Sequence, residues 1–593
     1  MFAFEFLLDS PVLLSLLIVF VGICFYAATA KFRQLQRCGI DLDFQSVELP
    51  GSSRARISRL CVGDQLVSAY FKDVKTQYDM FQRGRRLAGD QPCVGYRTAR
   101  NADFQWLTYN QVNDHATWFG SGLIKKFSCG NTESSKYIGL YAKNRPEWVI
   151  TEQAVNAFGL VLVPLYDTLG TNEFSFIINQ SELSTVVCDP VKVSLLFDQC
   201  SQCPLLKNIV KIGKVQQAEL DIAGRLGLTI VSMDEVENEG AAASLPHKPS
   251  NETAVSTICY TSGTTGDPKG AMISHGNFVA SAAAFLLQVE SVQVFSIKPS
   301  DVHISYLPLA HIMERVVEST ILQGGGRIGF FQGDIRFLMD DIQTLRPTLF
   351  LAVPRLLCHI HSQVMSKVNR KNKISKMLFQ LALNFKKKEI SRGIVRNNGF
   401  WDVVMFRSIQ KMFGGQLKGI LTGTSSVPHD VLAFWRCVIG CYVLEGYGQT
   451  ETTATGTLTV AIASAPGNVG PPSPCNKVKL VDAPELDYYA ENNQGEICMK
   501  GPNVFLGYFK NQNLTHEVLD KDGWLHSGDI GQWLPETRSK FEEVSLGKDM
   551  HSSRSPRHVR HETEHQGAYP TRGTTHKGCK ICDTKHYRQI EKS

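Results

Sequence analysis

Short apolar segments rich in β-branched residues alternate with amphipathic segments through the first half of the chain. Tyr137–Tyr141 predicts a strand, Pro146 favours the first turn of a helix that Gly159 closes, and residues 160–165 predict a second buried strand. Further strands are predicted at 185–188, 209–212 and 228–232. Because strands separated by helices usually pair in parallel, this pattern predicts an α/β fold with mostly parallel sheets covered by helices.

The alternation resumes after residue 250. It predicts a helix at 310–322 and strands at 255–259, 271–275, 303–307, 327–331, 348–353, 417–421 and 442–444. Segments 474–482 and 494–509 alternate apolar and polar residues, which predicts a small β-barrel subdomain. A chain of 593 residues is too long for one hydrophobic core, so we expect more than one domain.

A loop of unusual composition follows the strand at 255–259. Residues 260–270 read Tyr-Thr-Ser-Gly-Thr-Thr-Gly-Asp-Pro-Lys-Gly. Glycines let the backbone approach a ligand closely, hydroxyl and N–H groups donate hydrogen bonds, and Lys269 supplies positive charge, so the loop predicts a phosphate site. It is not a Walker A loop, since Gly266 and Lys269 are too far apart and Gly270 stands where Ser or Thr is required. An ordinary flexible turn is the alternative, and it is disfavoured by this concentration of residues.

Two further loops follow predicted strands, at residues 422–426 and 445–451. Open α/β sheets bind their ligands at the carboxyl ends of strands. We therefore expect these two loops and the phosphate loop to converge on one site.

Five more segments extend the pattern around the phosphate loop, and together they resemble the adenylate-forming, AMP-binding superfamily in its long-chain acyl-CoA synthetase branch. The resemblance covers about residues 75–535, and all its motifs occur in the order the family shows. The segments are Asn144-Arg-Pro-Glu-Trp148, Pro164-Leu-Tyr-Asp-Thr-Leu169, Leu307-Pro-Leu-Ala-His-Ile-Met-Glu-Arg315, Glu445-Gly-Tyr-Gly-Gln-Thr-Glu451 and Asp522-Gly-Trp-Leu-His-Ser-Gly-Asp529.

The resemblance implies ATP-dependent activation of a long-chain fatty acid through acyl-AMP, with ATP, Mg²⁺ and CoA as the cofactor and co-substrates. It implies catalytic roles for Lys269, Thr265 and Glu451, and a Mg²⁺ site at Glu451 and Thr261, whose oxygen atoms suit a hard cation. Tyr447 is expected to stack on adenine, and Asp529 to accept hydrogen bonds from the ribose hydroxyls. The full set expected to bind the nucleotide is Tyr260, Thr261, Ser262, Gly263, Thr264, Thr265, Gly266, Lys269, Gly423, Thr424, Tyr447, Gly448, Thr450, Glu451 and Asp529.

Several of these residues have plainer alternatives. Thr450 suits a helix N-cap as well as a phosphate ligand. His311 is either a core histidine or, as the resemblance implies, a pocket residue near the fatty-acid entrance. Without the motif context, Glu451 and Asp529 would be interpreted as surface carboxylates or helix caps.

The first forty residues carry a different signal. Residues 11–30 contain no charged side chain and are long enough to span a bilayer. Lys31, Arg33 and Arg37 follow, which places the remainder on the cytosolic side. We expect residues 1–40 to be a signal anchor and 41–80 a linker, with a cleaved signal peptide as the rival. The resemblance implies the endoplasmic reticulum, the mitochondrial outer membrane, or both.

Charge and cysteine content agree with this interpretation and add little to it. The net charge of +6 is spread along the chain and does not indicate a nucleic-acid partner. The sixteen cysteines are scattered through mostly apolar segments, which favours a reduced, cytosol-facing protein. The oligomeric state is not indicated by these patterns.

The resemblance stops after Pro535. Residues 536–593 are polar, lack periodicity and contain six of the sixteen histidines, so we expect a disordered tail in place of the family's C-terminal lid, which carries a catalytic lysine. A zinc site at Cys579 and Cys582 with His576 and His586 is a weaker alternative. Two functions therefore stay open. The AMP-binding domain at 81–535 belongs either to an active ligase or to an impaired variant that binds ATP or fatty acid, or pairs with intact chains, without turnover.

Overall fold

The structure, a computed structural model, describes residues 45–534 except 52, 168, 262–266, 292–295, 424–426 and 461–466. The predicted membrane span at 11–30 and the predicted disordered tail lie outside the described residues. Among the helices within them, none is both long and apolar enough to cross a membrane. Every statement below refers to the described part of the chain.

The first sheet has seven strands in the order β11-β10-β6-β5-β7-β8-β9. Its strands are parallel, except that β10 and β11 form an antiparallel hairpin around the predicted phosphate loop. The predicted strand at 137–141 is observed at those residues, and the others agree within one or two residues. The strands are β5 (Tyr137–Tyr141), β6 (Val161–Pro164), β7 (Thr185–Cys188), β8 (Asn208–Lys211), β9 (Thr229–Ser232), β10 (Val255–Thr261) and β11 (Lys269–Ser274).

The second sheet has eight strands in the order β17-β16-β15-β14-β12-β13-β3-β4. Its six central strands are parallel, and the edge strands β4 and β17 are antiparallel to their neighbours. The strands are β3 (Pro92–Tyr96), β4 (Gln105–Thr108), β12 (Val302–Ser305), β13 (Arg327–Phe330), β14 (Leu349–Ala352), β15 (Gly419–Thr422), β16 (Tyr442–Tyr447) and β17 (Thr457–Leu458). The two large sheets confirm the predicted α/β class.

The third sheet is antiparallel, with five strands in the order β1-β2-β18-β19-β20. It corresponds to the subdomain predicted as a small β-barrel. Its strands are β1 (Ser46–Glu48), β2 (Arg56–Ser58), β18 (Lys477–Val481), β19 (Gln494–Lys500) and β20 (Leu525–Gln532). The segment 41–80, predicted as a linker, supplies β1 and β2, so the linker assignment is wrong for these residues. They are held because β2 pairs with β18, more than four hundred residues further along the chain.

Helices cover the faces of the two large sheets. Pro146 stands at the first turn of its helix as predicted. The helices are α1 (Gln77–Ala88), α2 (Tyr109–Phe127), α3 (Pro146–Ala157), α4 (Thr171–Gln180), α5 (Val193–Gln199), α6 (Gln217–Leu226), α7 (Met233–Ala242), α8 (His275–Ser291), α9 (Ile312–Gln323), α10 (Leu338–Leu345), α11 (Pro354–Asn369), α12 (Lys373–Ile390), α13 (Arg407–Met412), α14 (His429–Ile439) and α15 (Gln512–Val518).

Helix α9 joins the first two sheets through a fully buried arginine. Arg315 donates to Oε1 of Glu152 in α3 at 2.6 Å and to the hydroxyl of Thr257 in β10 at 2.9 Å. Its side chain is 1 % exposed, so the guanidinium depends on these partners for the charge neutralisation and hydrogen bonds that water would otherwise supply. This ion pair fixes α9, and with it the start of the helix at His311, relative to the phosphate hairpin.

Candidate active site

The phosphate hairpin presents Thr261 and Lys269 at the two ends of its loop. These residues are register partners, at the last position of β10 and the first of β11. Both are half-buried. Five of the predicted phosphate ligands, Ser262, Gly263, Thr264, Thr265 and Gly266, lie outside the described residues. The described ends of the loop keep the threonine hydroxyl and the lysine ammonium on one end of the sheet, as a polyanion site requires.

Tyr260 does not project into this site. Its ring is 2 % exposed, it lies in the core between the first sheet and α4, and its hydroxyl donates to Oε1 of Gln180 at 2.8 Å. Successive side chains on a strand face opposite ways, so Tyr260 and Thr261 diverge. The Tyr260 ring therefore serves the core, and the nucleotide role of Tyr260 stays a prediction. Gly270 stands opposite, where a Cβ would come 2.9 Å from the ring.

The carboxyl end of β16 meets β20 of the small sheet at Asp529. Tyr447 donates its hydroxyl to Oδ2 of Asp529 at 2.9 Å, and Gln449 donates its amide to the same oxygen at 2.8 Å. Gln449 also donates to the carbonyl of Ser527 at 2.9 Å. Two predicted residues from different sheets are thus in direct contact. Gln449, within the same motif, was not predicted, since nothing in its spacing distinguishes it from a surface amide.

Burial raises the pKa of the Asp529 carboxyl, the hydrogen bonds from Tyr447 and Gln449 lower it in part, and the charge of Glu496 raises it further. The donors share one oxygen of a half-buried carboxylate. Such a group can accept hydrogen bonds from a pair of neighbouring hydroxyls on a ligand. That is the chemistry expected of a ribose contact.

Glu451 is tied to the phosphate hairpin through Tyr508. The Tyr508 hydroxyl donates to Oε1 of Glu451 at 2.6 Å, and the Lys269 ammonium lies 5.9 Å from the centre of the Tyr508 ring. The segment that carries Tyr508 pairs with β11, since the amide of Phe509 donates to the carbonyl of Gly270 at 2.8 Å. Tyr508 was missed at the sequence level, because it lies 57 residues from Glu451 and outside every recognised motif.

Burial and the neighbouring Glu451 carboxylate raise the pKa of the Tyr508 hydroxyl, which therefore remains a donor at neutral pH. Glu451 and Thr261 offer carboxylate and hydroxyl oxygens, which is the donor chemistry that Mg²⁺ prefers. The residues present therefore fit the predicted cation.

Two glycines allow close backbone approach at this site. A Cβ on Gly448 would lie 2.3 Å from the carbonyl oxygen of Ala454, so any larger residue would displace the turn after β16. A Cβ on Gly423 would lie 3.2 Å from the carbonyl oxygen of Gly446 and 3.5 Å from the sulfur of Met313. Gly423 is therefore a buried contact between β15, β16 and the start of α9, whereas Thr424 lies outside the described residues.

His311 and Thr450 have local structural contacts. His311 is the N-cap of α9, where its Nδ1 accepts from the amide of Met313 at 3.3 Å, and burial lowers its pKa. Thr450 begins a short 3₁₀ turn whose cap is Gln449, so the N-cap interpretation of Thr450 is wrong. The phosphate role of Thr450 and the pocket role of His311 stay predictions.

A narrow cavity of about 30 Å³ lies between helices α8 and α9 and the strands that lead to these loops. Its lining is almost wholly apolar, and it includes Phe285, Val317, Ile420 and Leu444, with His303 as a polar member. Leu444 lies three residues before Tyr447 on β16. The cavity thus runs beneath the same strand ends that carry the polar residues.

The polar end of α9 contains a second buried pair. His303 Nε2 lies 2.9 Å from Oε1 of Glu314, and both side chains are fully buried. Glu314 and Arg315 close the motif at 307–315, yet sequence reasoning gave them no role. Glu314 ties α9 to β12 of its own sheet, and Arg315 ties α9 to the first sheet, which explains charged residues at these positions without assigning them to the reaction.

Two large, mostly parallel sheets and a small antiparallel sheet, joined by the contacts of Tyr447 and Glu451, are typical of a nucleotide-binding α/β enzyme. Comparisons with known proteins identify the family. The domain model described as AMP-binding enzyme matches residues 81–509. Long-chain-fatty-acid–CoA ligase 5 of Rattus norvegicus is 44 % identical over 499 residues, covering 84 % of this chain and 72 % of that protein. Long-chain-fatty-acid–CoA ligase 1 of Homo sapiens is 44 % identical over 498 residues, covering 84 % of this chain and 70 % of that protein.

Solved structures agree on the fold. The anthranilate CoA ligase AuaEII, in complex with anthranoyl-AMP, superposes with a TM-score of 0.61 at 17 % identity, covering 80 % of this chain and 78 % of that chain. The N-terminal domain of FACL13 from Mycobacterium tuberculosis gives a TM-score of 0.57 at 16 % identity, covering 80 % of this chain and 99 % of that domain. The chain belongs to the AMP-binding enzyme family, among the long-chain-fatty-acid CoA ligases.

Proposed function

We propose that this protein activates long-chain fatty acids with ATP, forming acyl-AMP and then acyl-CoA. The observation that carries the proposal is a chain of contacts between the three sheets. Tyr447, at the end of β16, contacts Asp529 within β20, and Glu451 contacts Tyr508, whose ring lies beside Lys269 at the start of β11. Family membership supports the same reaction, since the relatives are named as long-chain-fatty-acid CoA ligases.

In this proposal the nucleotide lies across the meeting point of the sheets. Tyr447 stacks on adenine above Gly423, and Asp529 accepts hydrogen bonds from the ribose hydroxyls. Lys269 and the 261–266 loop hold the β- and γ-phosphates. The support is the hydrogen bond between Tyr447 and Asp529, at 2.9 Å, which keeps the proposed adenine and ribose contacts side by side.

Glu451 and Thr261 would hold Mg²⁺, which would neutralise phosphate charge when bound. Tyr508 orients the Glu451 carboxylate by a hydrogen bond of 2.6 Å. Carboxylate ligands of metals commonly rely on such neighbours for their position.

The apolar cavity beneath the strand ends is the proposed path of the acyl chain. At about 30 Å³ it is too small for a long chain as it stands, so its walls must separate when the chain binds. Gly423, after the end of β15, lies beside Met313 at the start of α9, and both elements also line this cavity. This arrangement would deliver the fatty-acid carboxylate to the α-phosphate, with His311 near the entrance.

The chemistry then needs two displacements. A carboxylate oxygen attacks the α-phosphorus and pyrophosphate leaves. The CoA sulfur, having lost its proton, attacks the acyl carbonyl and AMP leaves. Positioning and neutralisation of charge do most of this work, which matches a site that combines hydrogen-bond donors with the Lys269 ammonium.

The proposal extends to the membrane. Residues 11–30 are the proposed anchor, and Lys31, Arg33 and Arg37 favour a cytosolic catalytic domain on the endoplasmic reticulum or the mitochondrial outer membrane. A substrate that partitions into bilayers makes such an anchor useful.

A second candidate is binding without turnover. The chain spans about 70 to 73 % of the length of the mammalian relatives it matches, and the resemblance stops after residue 535. If residues 536–593 do not supply the lid and its lysine, we expect nucleotide binding to survive while adenylation is severely impaired and the thioester step is lost.

The test is to incubate the purified full-length chain with ATP, Mg²⁺, CoA and palmitate, and to quantify acyl-AMP and acyl-CoA separately. Both products support the first candidate. Nucleotide binding with neither product supports the second, and failure to bind nucleotide contradicts both. A Lys269→Met variant of the same chain is the matched control for product formed by contaminating enzymes.

A further inference from the structure

A cluster of metal-ligating side chains lies on the small sheet, beside the strand segment that carries Asp529. The Nδ1 atom of His526 is 2.9 Å from Oε2 of Glu496 and 3.4 Å from the sulfur of Cys498. The three ligand atoms all lie within 4.8 Å of one another. No motif in the sequence predicted this cluster.

Strand pairing brings the three residues together. Cys498 of β19 and His526 of β20 are register partners, and Glu496 lies two positions before Cys498, on the same face. The pairing register shifts between Glu496 and Cys498. Regular pairing after Cys498–His526 would place Glu496 opposite Gly528, but Glu496 pairs with Ile530. Strand β20 therefore bulges at residues 527–529.

That bulge is anchored to the cluster. The amide of Gly528, which has a φ of +73°, donates to Oε1 of Glu496 at 3.0 Å. Glu496 thus uses one oxygen to hold the bulge and the other to face His526. An ion bound here would add positive charge next to Asp529.

A nucleophilic role for the cysteine does not fit this geometry. The Cys498 side chain is fully buried, and burial together with the Glu496 charge raises the pKa of its thiol. A catalytic thiol needs access to its substrate and a lowered pKa, and Cys498 has neither. A bound metal would favour the thiolate form of Cys498, because a coordinating thiol loses its proton on binding.

We propose that Glu496, Cys498 and His526 form a binding site for a thiophilic divalent cation of the Zn²⁺ class. Thiolate, imidazole and carboxylate are the ligand types that Zn²⁺ takes in proteins, and the thiolate and carboxylate together neutralise its two charges. The sulfur ligand disfavours Mg²⁺, which prefers oxygen ligands alone.

A carboxylate lies beside the second ring nitrogen of His526, as is usual for histidines that bind metals. The second ring nitrogen of His526 lies 3.7 Å from Oδ2 of Asp520, and a carboxylate there fixes the ring and its tautomer. Asp520 is itself held by the amides of Asp522 and Trp524, at 2.9 and 2.8 Å. Among the described residues, Lys479 is a cation close enough to lower the pKa of Cys498, and its positive charge opposes binding electrostatically. Its ammonium lies 4.3 Å from the centre of the Trp524 ring.

The test is to titrate metal-stripped, tag-free full-length protein with Co²⁺ and to record the absorption bands of cobalt–thiolate coordination, followed by displacement with Zn²⁺. We expect one equivalent to bind with a thiolate band. Cys498→Ser should abolish that band. His526→Gln and Glu496→Gln, at two half-buried positions, should each weaken binding by more than about tenfold.

Two controls make the result specific. Cys475→Ser removes another fully buried thiol and should leave the band intact. A Cys579→Ser, Cys582→Ser double variant removes the zinc-like spacing of the tail and should also leave it intact. Circular dichroism of each variant separates loss of the site from loss of the fold. The proposal is overturned if the wild type shows no thiolate band, if the band survives in folded Cys498→Ser, or if it disappears with the tail cysteines.

Discussion

Tyr447→Phe removes a single hydroxyl from the proposed nucleotide site and keeps the ring that would stack on adenine. The lost bond is the 2.9 Å donation to Asp529, which then keeps only the Gln449 donor. A hydrogen bond to a charged group contributes about 1.5–3 kcal/mol, which corresponds to about 10- to 150-fold in a binding constant. We expect AMP and ATP to bind the variant more weakly by an amount in this range.

The same change has a defined effect on pH dependence. Asp529 accepts ribose hydrogen bonds best when ionised, and its pKa is already raised by burial. The Tyr447 hydroxyl stabilises the ionised form, so its removal raises the pKa further. Nucleotide affinity should fall as pH falls through the pKa of Asp529, and this fall should begin at a higher pH in Tyr447→Phe than in the wild type.

The assay is calorimetric titration of the full-length protein with AMP across mildly acidic to mildly alkaline pH. Tyr442→Phe, the same substitution at the first residue of β16, is the matched control. The reasoning fails if Tyr447→Phe binds AMP as the wild type does at every pH, or if Tyr442→Phe loses as much affinity.

Four other predictions follow from particular contacts. Lys269→Met should weaken the binding of ATP by about tenfold or more. The affinity for AMP, which lacks the β- and γ-phosphates, should change little. Titration with each nucleotide measures both affinities. Tyr508→Phe should raise the Mg²⁺ concentration needed for half-maximal activity by about tenfold, because Glu451 loses its 2.6 Å donor; an unchanged Mg²⁺ requirement contradicts this role. Burial raises the pKa of Glu445 from 4.5 to about 7. Between these two pH values the native state binds more protons than the unfolded state, so the free energy of unfolding falls as pH rises through this window. Glu445→Gln should remove this slope in urea unfolding and raise the free energy of unfolding by about 3 kcal/mol above pH 7. Arg315→Met should cost about 3–5 kcal/mol of unfolding free energy, because it leaves a buried carboxylate unpaired, and a loss no larger than that of a surface arginine would refute the structural role.

The large sheets were predictable because their strands are short, continuous apolar segments bounded by turns. The segment at 137–141 is an example. All five of its residues are buried, and a continuous apolar segment this short indicates a buried strand because it is too short for a typical helix. The hairpin strands on either side of residues 262–266 were also predictable, because both are apolar segments, whereas the phosphate role of the loop stays a prediction.

The third sheet and much of the site were not predictable from local patterns. Strands β1 and β2 have three residues each, too few to show a period, and they form only because a distant strand pairs with them. Tyr508 and Gln449 act through partners far away in sequence. Motif membership also does not reveal that the Tyr260 side chain lies on the core face of β10. The metal-ligating cluster depends on a shift of register that no single strand encodes.

The most direct test of the central claim is the exchange of labelled pyrophosphate into ATP by the full-length protein, because this reports adenylation without requiring the thioester step. The account predicts exchange that depends on both Mg²⁺ and a long-chain fatty acid and that Lys269→Met greatly reduces. Protein that binds ATP yet shows no exchange dependent on fatty acid would contradict it.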